Sequence, residues 1–192
     1  MVAQPQHYYI TPMEYLERER NAEFKSEYDD GVILAMAGSS PEHAAITFNF
    51  GAELQPHLRR AGCRGFSPDL RVRVEAGNRY YYPDLTVVCG EPEFDEAVTG
   101  MQSLRNPTLI LEVLSPSTER QDRGRKWLAY QGLASLSTYV LAHQDRPCVE
   151  VYSRNPDTQV WEYRKVEGLE AALELPAFAC NLALAQIYTD AE

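Results

Sequence analysis

The chain has 192 residues, of which 44% are hydrophobic and 24% are charged. This size supports one domain with a substantial core, and we expect residues 1–192 to form it. No run of 18 apolar residues occurs, so a membrane-spanning helix is not expected, and no secretory signal is visible in residues 1–10. The net charge of −10 disfavours nonspecific nucleic-acid binding, which depends on neutralising phosphates.

The cysteines are few and widely spaced. None forms a Cys-x-x-Cys pair; they are Cys63, Cys89, Cys148 and Cys180. This spacing favours buried thiols over a disulfide framework or a zinc site. We therefore predict reduced cysteines in a cytoplasmic protein.

Two helices and a hairpin are predicted in the first third of the chain. Thr11 followed by Pro12 is typical of an N-cap with proline at the first helical position, and this helix should end near residue 20. Residues 27–37 predict a hairpin with Asp29-Asp30-Gly31 as its turn. A second helix should span residues 41–60, because its apolar residues recur at helical spacing.

Three strands and a loop are predicted in the middle of the chain. Apolar and charged residues alternate over residues 64–76, which predicts a half-buried strand. Residues 80–89 predict a more buried strand, and burial explains its tyrosines Tyr80-Tyr81-Tyr82 better than base stacking does. Residues 90–106 predict an acidic loop. The apolar residues 109–114 are typical of a strand at the centre of a sheet.

A helix, three strands and a final helix are predicted in the last third. Thr118 and Gln121 fit a capping box, and that helix should end near residue 131. The apolar tail, residues 173–188, predicts a final docked helix. The strand-like runs between them lie at 138–142, 148–153 and 160–164. The whole pattern predicts an α/β fold, with a mixed sheet flanked by helices.

A basic segment is present despite the acidic balance. Residues 59–79 contain six arginines against two acidic residues, a local charge of +4. Arg71 and Arg73 are the candidates for contact with a backbone phosphate. An ordinary solvated strand face explains them equally well.

Two carboxylates interrupt segments that otherwise resemble buried strands. Asp84 follows Pro83 at the end of the aromatic run, and Glu112 lies within residues 109–114. On neighbouring strands, their Cβ atoms would be about 4.5–5.5 Å apart. They would repel each other unless one is protonated or a cation joins them. Mg²⁺ binds one or two carboxylates together with waters and phosphate oxygens, so the pair predicts a metal site for phosphodiester chemistry.

A lysine is expected on the helix after Glu112. Lys126 lies four residues after Asp122 and four before Tyr130, so the three side chains share one helix face. The ammonium group can offset the negative charge that develops during phosphoryl transfer. Gly124 costs about 1 kcal/mol relative to alanine in mid-helix. Close packing or a close backbone approach would explain its presence.

These motifs resemble those of a nuclease superfamily. Pro83-Asp84 and Glu112-Val113-Leu114 are similar to the PD-(D/E)XK pattern, although that pattern has lysine where this chain has Leu114. With Ser115-Pro116-Ser117, Asp122, Lys126 and Tyr130, the chain more closely resembles the Uma-type family of restriction endonucleases. In that family a helix lysine takes the place of the strand lysine. The resemblance spans about residues 10 to 188.

The resemblance implies a restriction-endonuclease-like fold and hydrolysis of phosphodiester bonds in DNA. It implies Mg²⁺ as cofactor, with Mn²⁺ as a substitute, and a homodimer, because cutting both strands of a duplex favours two sites. Asp84, Glu112 and the carbonyl of Val113 would be metal ligands. Lys126 would orient the attacking water or stabilise charge.

The remaining candidate residues have weaker roles by resemblance. Glu27 would be an outer ligand or would position a metal-bound water, but it also fits a solvated hairpin residue. His43 would contact phosphate, or would only begin a helix. Tyr130 would contact substrate, and the local positive charge makes Arg71 and Arg73 candidates for the same role.

Two other functions fit the same residues. A catalytically inert binding module is favoured by the acidic composition and by Leu114 in place of the strand lysine. A metal-dependent phosphoesterase acting on a small substrate would suit the negative charge better than duplex DNA does.

Overall fold

Two six-stranded mixed sheets and flanking helices form the architecture of the computed structural model, which describes residues 8–36 and 38–191. The helices are α1 (Pro12–Arg20), α2 (Pro41–Arg60), α3 (Glu119–Gln121), α4 (Trp127–Tyr130) and α5 (Leu184–Ile187), with a π-helical segment at Asp122–Lys126 and a 3₁₀ turn at Pro176–Phe178. Among the described residues, no helix is both long and apolar enough to cross a membrane.

The strands are short, from two to seven residues long. In chain order they are β1 (Ser26–Asp29), β2 (Val32–Ala35), β3 (Cys63–Phe66), β4 (Arg71–Val74), β5 (Arg79–Tyr81), β6 (Leu85–Cys89), β7 (Phe94–Asp95), β8 (Ser103–Leu104), β9 (Leu109–Leu114), β10 (Thr138–His143), β11 (Cys148–Arg154), β12 (Trp161–Glu167), β13 (Ala172–Leu175) and β14 (Cys180–Ala183). The predicted mixed α/β fold is confirmed.

The first sheet contains the core of the molecule. Its strand order is β12-β11-β10-β9-β6-β3, with β9 parallel to β10 and the other neighbours antiparallel. All six residues of β9 are buried, as predicted. Leu109, Leu111 and Val113 pack with the apolar face of α2, whereas Ile110 and Leu114 pack with α4. Because side chains alternate along a strand, Glu112 faces the α4 side.

The second sheet has the order β2-β1-β5-β4-β8-β7. It packs against α1 through an aromatic cluster in which the rings of Tyr15 and Tyr28 stack with centroids 5.0 Å apart. Tyr80, Tyr81 and Tyr82 are exposed by 1%, 0% and 6%. Burial therefore accounts for these tyrosines, and they are not available to stack on bases.

Two of the three strands predicted in the middle of the chain divide between the two sheets. The strand predicted at 64–76 is instead β3 and β4, and that at 80–89 is β5 and β6, because the chain crosses from one sheet to the other within each segment. The predicted loop at 90–106 contains β7 and β8. Local alternation does not reveal such crossings, because it is the same in either sheet.

The predicted helix at 173–188 is wrong over most of its length. Residues 172–183 form the hairpin β13–β14, followed only by the short helix α5. Burial in the hairpin alternates, with Leu173, Leu175 and Leu182 inside. This two-residue period is that of a strand and not of a helix.

The helix after β9 differs from the predicted continuous α-helix. The Thr118 side chain makes no N-cap bond to the helix, and the side chain of Gln121 binds Glu27 instead of closing a capping box. The middle turn is π-helical. Apart from its chain neighbours and the backbone of its own helix, no atom lies within 4 Å of the position a Cβ would occupy at Gly124, so close packing against another element does not explain that glycine.

The prediction of four free thiols is wrong for one pair. Cys63 and Cys89 form a disulfide between β3 and β6. They are direct partners in the antiparallel register, with Cα atoms 4.1 Å apart, which sequence spacing does not reveal. Cys148 and Cys180 are buried thiols, as predicted.

Candidate active site

Asp84 and Glu112 lie side by side at the end of the β6–β9 pair. Leu85 pairs with Leu111, so the same antiparallel register continued by one residue places Asp84 opposite Glu112. The Asp84 Oδ2 atom accepts a hydrogen bond from the Val113 N–H at 2.6 Å. The expected juxtaposition of the two carboxylates is therefore present. Glu112 is buried, whereas Asp84 is partly exposed.

Lys126 extends from the π-helical segment into a group of carboxylates. Its Nζ atom lies 2.9 Å from Glu27 Oε1, 3.1 Å from Glu112 Oε1 and 3.3 Å from Asp122 Oδ1. The Tyr130 hydroxyl donates to Glu112 Oε1 at 3.0 Å. The helix lysine thus lies on the face of β9 that carries Glu112 and Leu114. A π turn is often found where a helix bears functional residues.

Glu27 joins the site from the second sheet. One of its oxygens accepts a hydrogen bond from the Tyr82 N–H at 3.0 Å, and the other accepts one from Gln121 Nε2 at 3.1 Å. The residue is only 5% exposed. The alternative of a solvated hairpin residue is therefore wrong.

His43 also reaches the site. It lies in the first turn of α2, where the Ser40 hydroxyl accepts a hydrogen bond from the His43 N–H. Its Nε2 atom is 2.9 Å from Asp84 Oδ1. Asp84 is thereby held at both oxygens, by a backbone N–H and by an imidazole.

Burial and mutual repulsion set the charges of this cluster. Burial raises the pKa of Glu112 well above its usual value, against the opposing effect of Lys126, and burial raises the pKa of Asp122 in the same way. Burial would lower the pKa of Lys126, but the carboxylates of Glu112, Glu27 and Asp122 outweigh it, so the pKa is raised. Lys126 therefore stays protonated. Its single ammonium group is the counter-charge for three carboxylates, those of Glu27, Glu112 and Asp122.

A cavity of about 360 Å³ opens at these side chains and is lined by Glu27, Asp84, Glu112, Lys126 and Asp122. In its wall, the buried Oε1 atom of Gln144 accepts no hydrogen bond, and Oδ1 of Asp122 has only the ion pair with Lys126 Nζ at 3.3 Å. Mg²⁺ prefers oxygen ligands. The available donors and the excess of negative charge therefore fit a divalent cation.

The strand arginines lie away from this cavity. Arg71 is buried and donates to the Tyr82 hydroxyl at 2.9 Å, and Arg73 forms an ion pair with Asp95 at 2.6 Å. Neither lines the cavity. Tyr130 is fully buried and reaches Glu112 rather than the cavity surface.

Two residues of the site were not predicted from the sequence. Gln121 was assigned to a helix cap, yet it binds Glu27 across the chain. Gln144 follows β10, whose last residue pairs with Leu114 in the parallel register, so it enters the site from the neighbouring strand. No local sequence pattern predicts either role, because both residues are brought to the site by contacts between elements that are distant in sequence.

A second polar cluster lies beyond the site. Within the described part of the chain, His143, Cys148 and Glu150 place possible metal-binding atoms within 4.8 Å of one another. Arg123 already binds Glu150 through both terminal nitrogens, at 2.6 and 2.7 Å, and its Nη2 lies 3.1 Å from His143 Nε2. A metal ion here would have to displace the guanidinium group.

Several known proteins are similar to this chain in fold or in sequence. A solved "putative nuclease belonging to DUF820" from Anabaena variabilis ATCC 29413 matches with a TM-score of 0.74 and 20% identity, over 95% of this chain and 99% of that chain. This chain therefore shares the fold of that protein. Two uncharacterized proteins of Synechocystis sp. (strain ATCC 27184 / PCC 6803 / Kazusa) are also similar. The protein sll1609 is 34% identical over 86% of this chain and 92% of its own, and slr1290 is 33% identical over 93% and 91%.

Residues 12–186 match the model of the Uma2 family, whose description is "Putative restriction endonuclease". The chain belongs to the Uma2 family. The resemblance inferred from Asp84, Glu112 and Lys126 is confirmed at the level of the family.

Proposed function

We propose that this protein is a Mg²⁺-dependent endonuclease that hydrolyses phosphodiester bonds in DNA, with Mn²⁺ as an effective substitute. The observation that carries the proposal is the pairing of Asp84 with Glu112 at a cavity where the Lys126 ammonium group binds Glu112. Membership of the Uma2 family supports it.

Asp84, Glu112 and the Val113 carbonyl would hold the metal. When bound, Mg²⁺ lowers the pKa of a coordinated water and polarises a phosphoryl oxygen. Binding also relieves the repulsion between the two neighbouring carboxylates. The acidic cavity with one charged lysine is suited to a cation of charge +2.

The protein's own side chains would position the reaction. Lys126 stabilises the charge that develops on the phosphoryl oxygens, and Glu27 fixes Lys126 and orients a water molecule. Tyr130 holds Glu112 by its hydroxyl hydrogen bond. His43 fixes Asp84 and lies at the cavity wall, where it can contact a phosphate.

The experiment that tests this function is metal calorimetry. We expect Mg²⁺ and Mn²⁺ to bind the wild type and the control Asp157→Asn, an exposed isosteric change. Asp84→Asn and Glu112→Gln should each lose binding by about tenfold or more, because each removes a ligand charge. Circular dichroism would establish that every variant is folded. If both variants bind the metal as tightly as the wild type does, the proposed site is contradicted.

Such a result would favour the catalytically inert binding module. One observation supports this second function: Lys126 already binds three carboxylates, so the network is partly neutralised without a metal. The inert module would bind its partner equally well with and without Mg²⁺.

We also propose a homodimer and a cytoplasmic location. Two sites would let a dimer cut both strands of a duplex, and light scattering coupled to size-exclusion chromatography measures the dimer directly.

The disulfide bears on the proposed cytoplasmic location, because the Cys63–Cys89 bond is more typical of an oxidising compartment. The location is therefore best tested by counting free thiols in protein taken from the cell under alkylating conditions.

A further inference from the structure

A second cavity of about 510 Å³ adjoins the candidate active site. It runs between α2 and the end of β3, and it shares Ser39, His43 and Asp84 with the cavity of the candidate active site. We call it the α2 groove. Its volume lies in the usual range for small-molecule pockets, about 300–1,000 Å³. A ligand that reaches Asp84 can therefore extend directly into the groove.

The chemistry of the α2 groove differs from that of the acidic cavity. Small residues, Ala44, Gly51 and Ala52, leave the space along α2. Phe48 and Phe66 contribute aromatic rings, and Phe48 is 75% exposed. Among the described residues that line the groove, only His43 and Asp84 can ionise, and both lie at the junction with the active site.

Polar side chains in the groove are few and neutral. Thr47, Gln55 and Ser67 contribute them to the wall. A surface with aromatic rings and scattered neutral polar groups suits a flat, uncharged ring with polar edges. It does not suit a phosphate, because no lysine or arginine is found among the described lining residues.

We propose that the α2 groove receives an unpaired nucleobase, belonging to a nucleotide whose phosphate reaches the active site. This inference rests on the proposed function and specifies its substrate class. The base would stack on the exposed ring of Phe48, and its edge would meet the neutral polar groups. A base within a stacked, paired duplex cannot enter a lateral groove unless it leaves the stack.

The acidic surface supports the same substrate class. Duplex binding depends strongly on neutralising phosphates, which a chain with net charge −10 is poorly equipped to do. Stacking of a base on an aromatic ring contributes about 1–3 kcal/mol without requiring positive charge. A single strand, or a nucleotide displaced from a duplex, therefore fits better than regular double-stranded DNA.

Thymidine is the first probe, because it carries a base without a phosphate and so does not depend on a metal. In two-dimensional ¹⁵N NMR, we expect thymidine to shift the amide signals of residues 44–52 and 65–67. Deoxyribose, which lacks the base, should leave them unchanged. Phe48→Ala should weaken thymidine binding by roughly fivefold or more. Phe24→Ala is the matched control, because Phe24 is 78% exposed outside the groove.

Two further ligands distinguish the sources of the base. A short oligothymidylate that binds at least about tenfold tighter than thymidine 5′-monophosphate would assign a polymer substrate, and equal affinities would assign a mononucleotide. The proposal is overturned if thymidine shifts no groove signal, or if Phe48→Ala binds it as well as Phe24→Ala does. Failure of metal binding in the calorimetry would instead overturn the proposed hydrolysis and leave the thymidine result intact.

Discussion

At the scale of single residues, Lys126 organises the candidate site. Its ammonium group contacts carboxylates from β1, from β9 and from its own helix, and it is only 5% exposed. Removing one partner from a buried ionic network leaves the remaining charges uncompensated. The lysine therefore has a role in stability as well as a proposed role in catalysis.

Lys126→Met should lower the free energy of unfolding by about 3–5 kcal/mol, because Glu27, Glu112 and Asp122 would lose their common counter-charge. Lys165→Met is the control, since Lys165 pairs with Glu167 at the surface, where ion pairs contribute about 0–1 kcal/mol. Urea denaturation measures both. If both substitutions lower the free energy of unfolding by the same small amount, the ion pairs of Lys126 do not stabilise the fold.

A second residue-scale prediction concerns Glu150. Hydrogen bonds from Arg123 lower the pKa of Glu150 to about 2, whereas an unfolded glutamate titrates near 4.3. The stability from this pair is therefore complete above pH about 4.3 and is lost as pH falls towards 2. Glu150→Gln should flatten the decline of stability between these values, and the exposed-site control Glu170→Gln should not. Urea denaturation at several pH values would test this, and parallel curves would contradict it.

At the scale of elements, the helix after β9 is the most informative. Its π-helical segment carries Asp122 and Lys126, and Tyr130 follows in α4 on the same side of the molecule. Arg123, from the same segment, is tied to β11 through Glu150. The segment is thus anchored on one side while it presents Lys126 to β9.

Gly124→Ala should raise the free energy of unfolding by up to about 1 kcal/mol, because alanine is the better helix former and a Cβ at this position meets no atom of another element within 4 Å. Gly132→Ala is the matched control: its Cβ would lie 3.2 Å from the Ala129 carbonyl oxygen, so little or no gain is expected. Thermal and urea denaturation compare them. A destabilised Gly124→Ala would indicate that the π turn itself requires glycine.

The disulfide gives a second element-scale prediction. It joins the edge strand β3 to β6, the strand that begins beside Asp84. Of the four cysteines, only Cys148 and Cys180 should react with a thiol reagent in denaturant without reductant. Reduction should lower stability by about 2–4 kcal/mol. Four reactive thiols in air-oxidised protein would contradict the bond.

At the scale of the whole molecule, the site lies where the two sheets meet. Glu27 comes from the second sheet, Glu112 from the first, and Asp84 from the crossing between β5 and β6. The α2 groove lies beside the same crossing. The single domain over residues 1–192 and the homodimer stay predictions.

The sequence by itself determined the residues with unusual chemistry. Asp84 and Glu112 were recognisable because a carboxylate in an apolar strand requires compensation, and Lys126 because it follows at helical spacing. The bounds of α1, α2 and β9 were also predicted closely, since caps and apolar patterns are local.

Only the tertiary structure decided which of these side chains meet and which strands share a sheet. The burial of Glu27, the contribution of Gln144, the Cys63–Cys89 bond and the hairpin in place of a C-terminal helix all depend on partners distant in sequence. Local sequence patterns indicate whether a side chain is buried, but they do not indicate which residues it packs against. Contacts between elements are fixed by packing of the whole chain, and the site is assembled from such contacts.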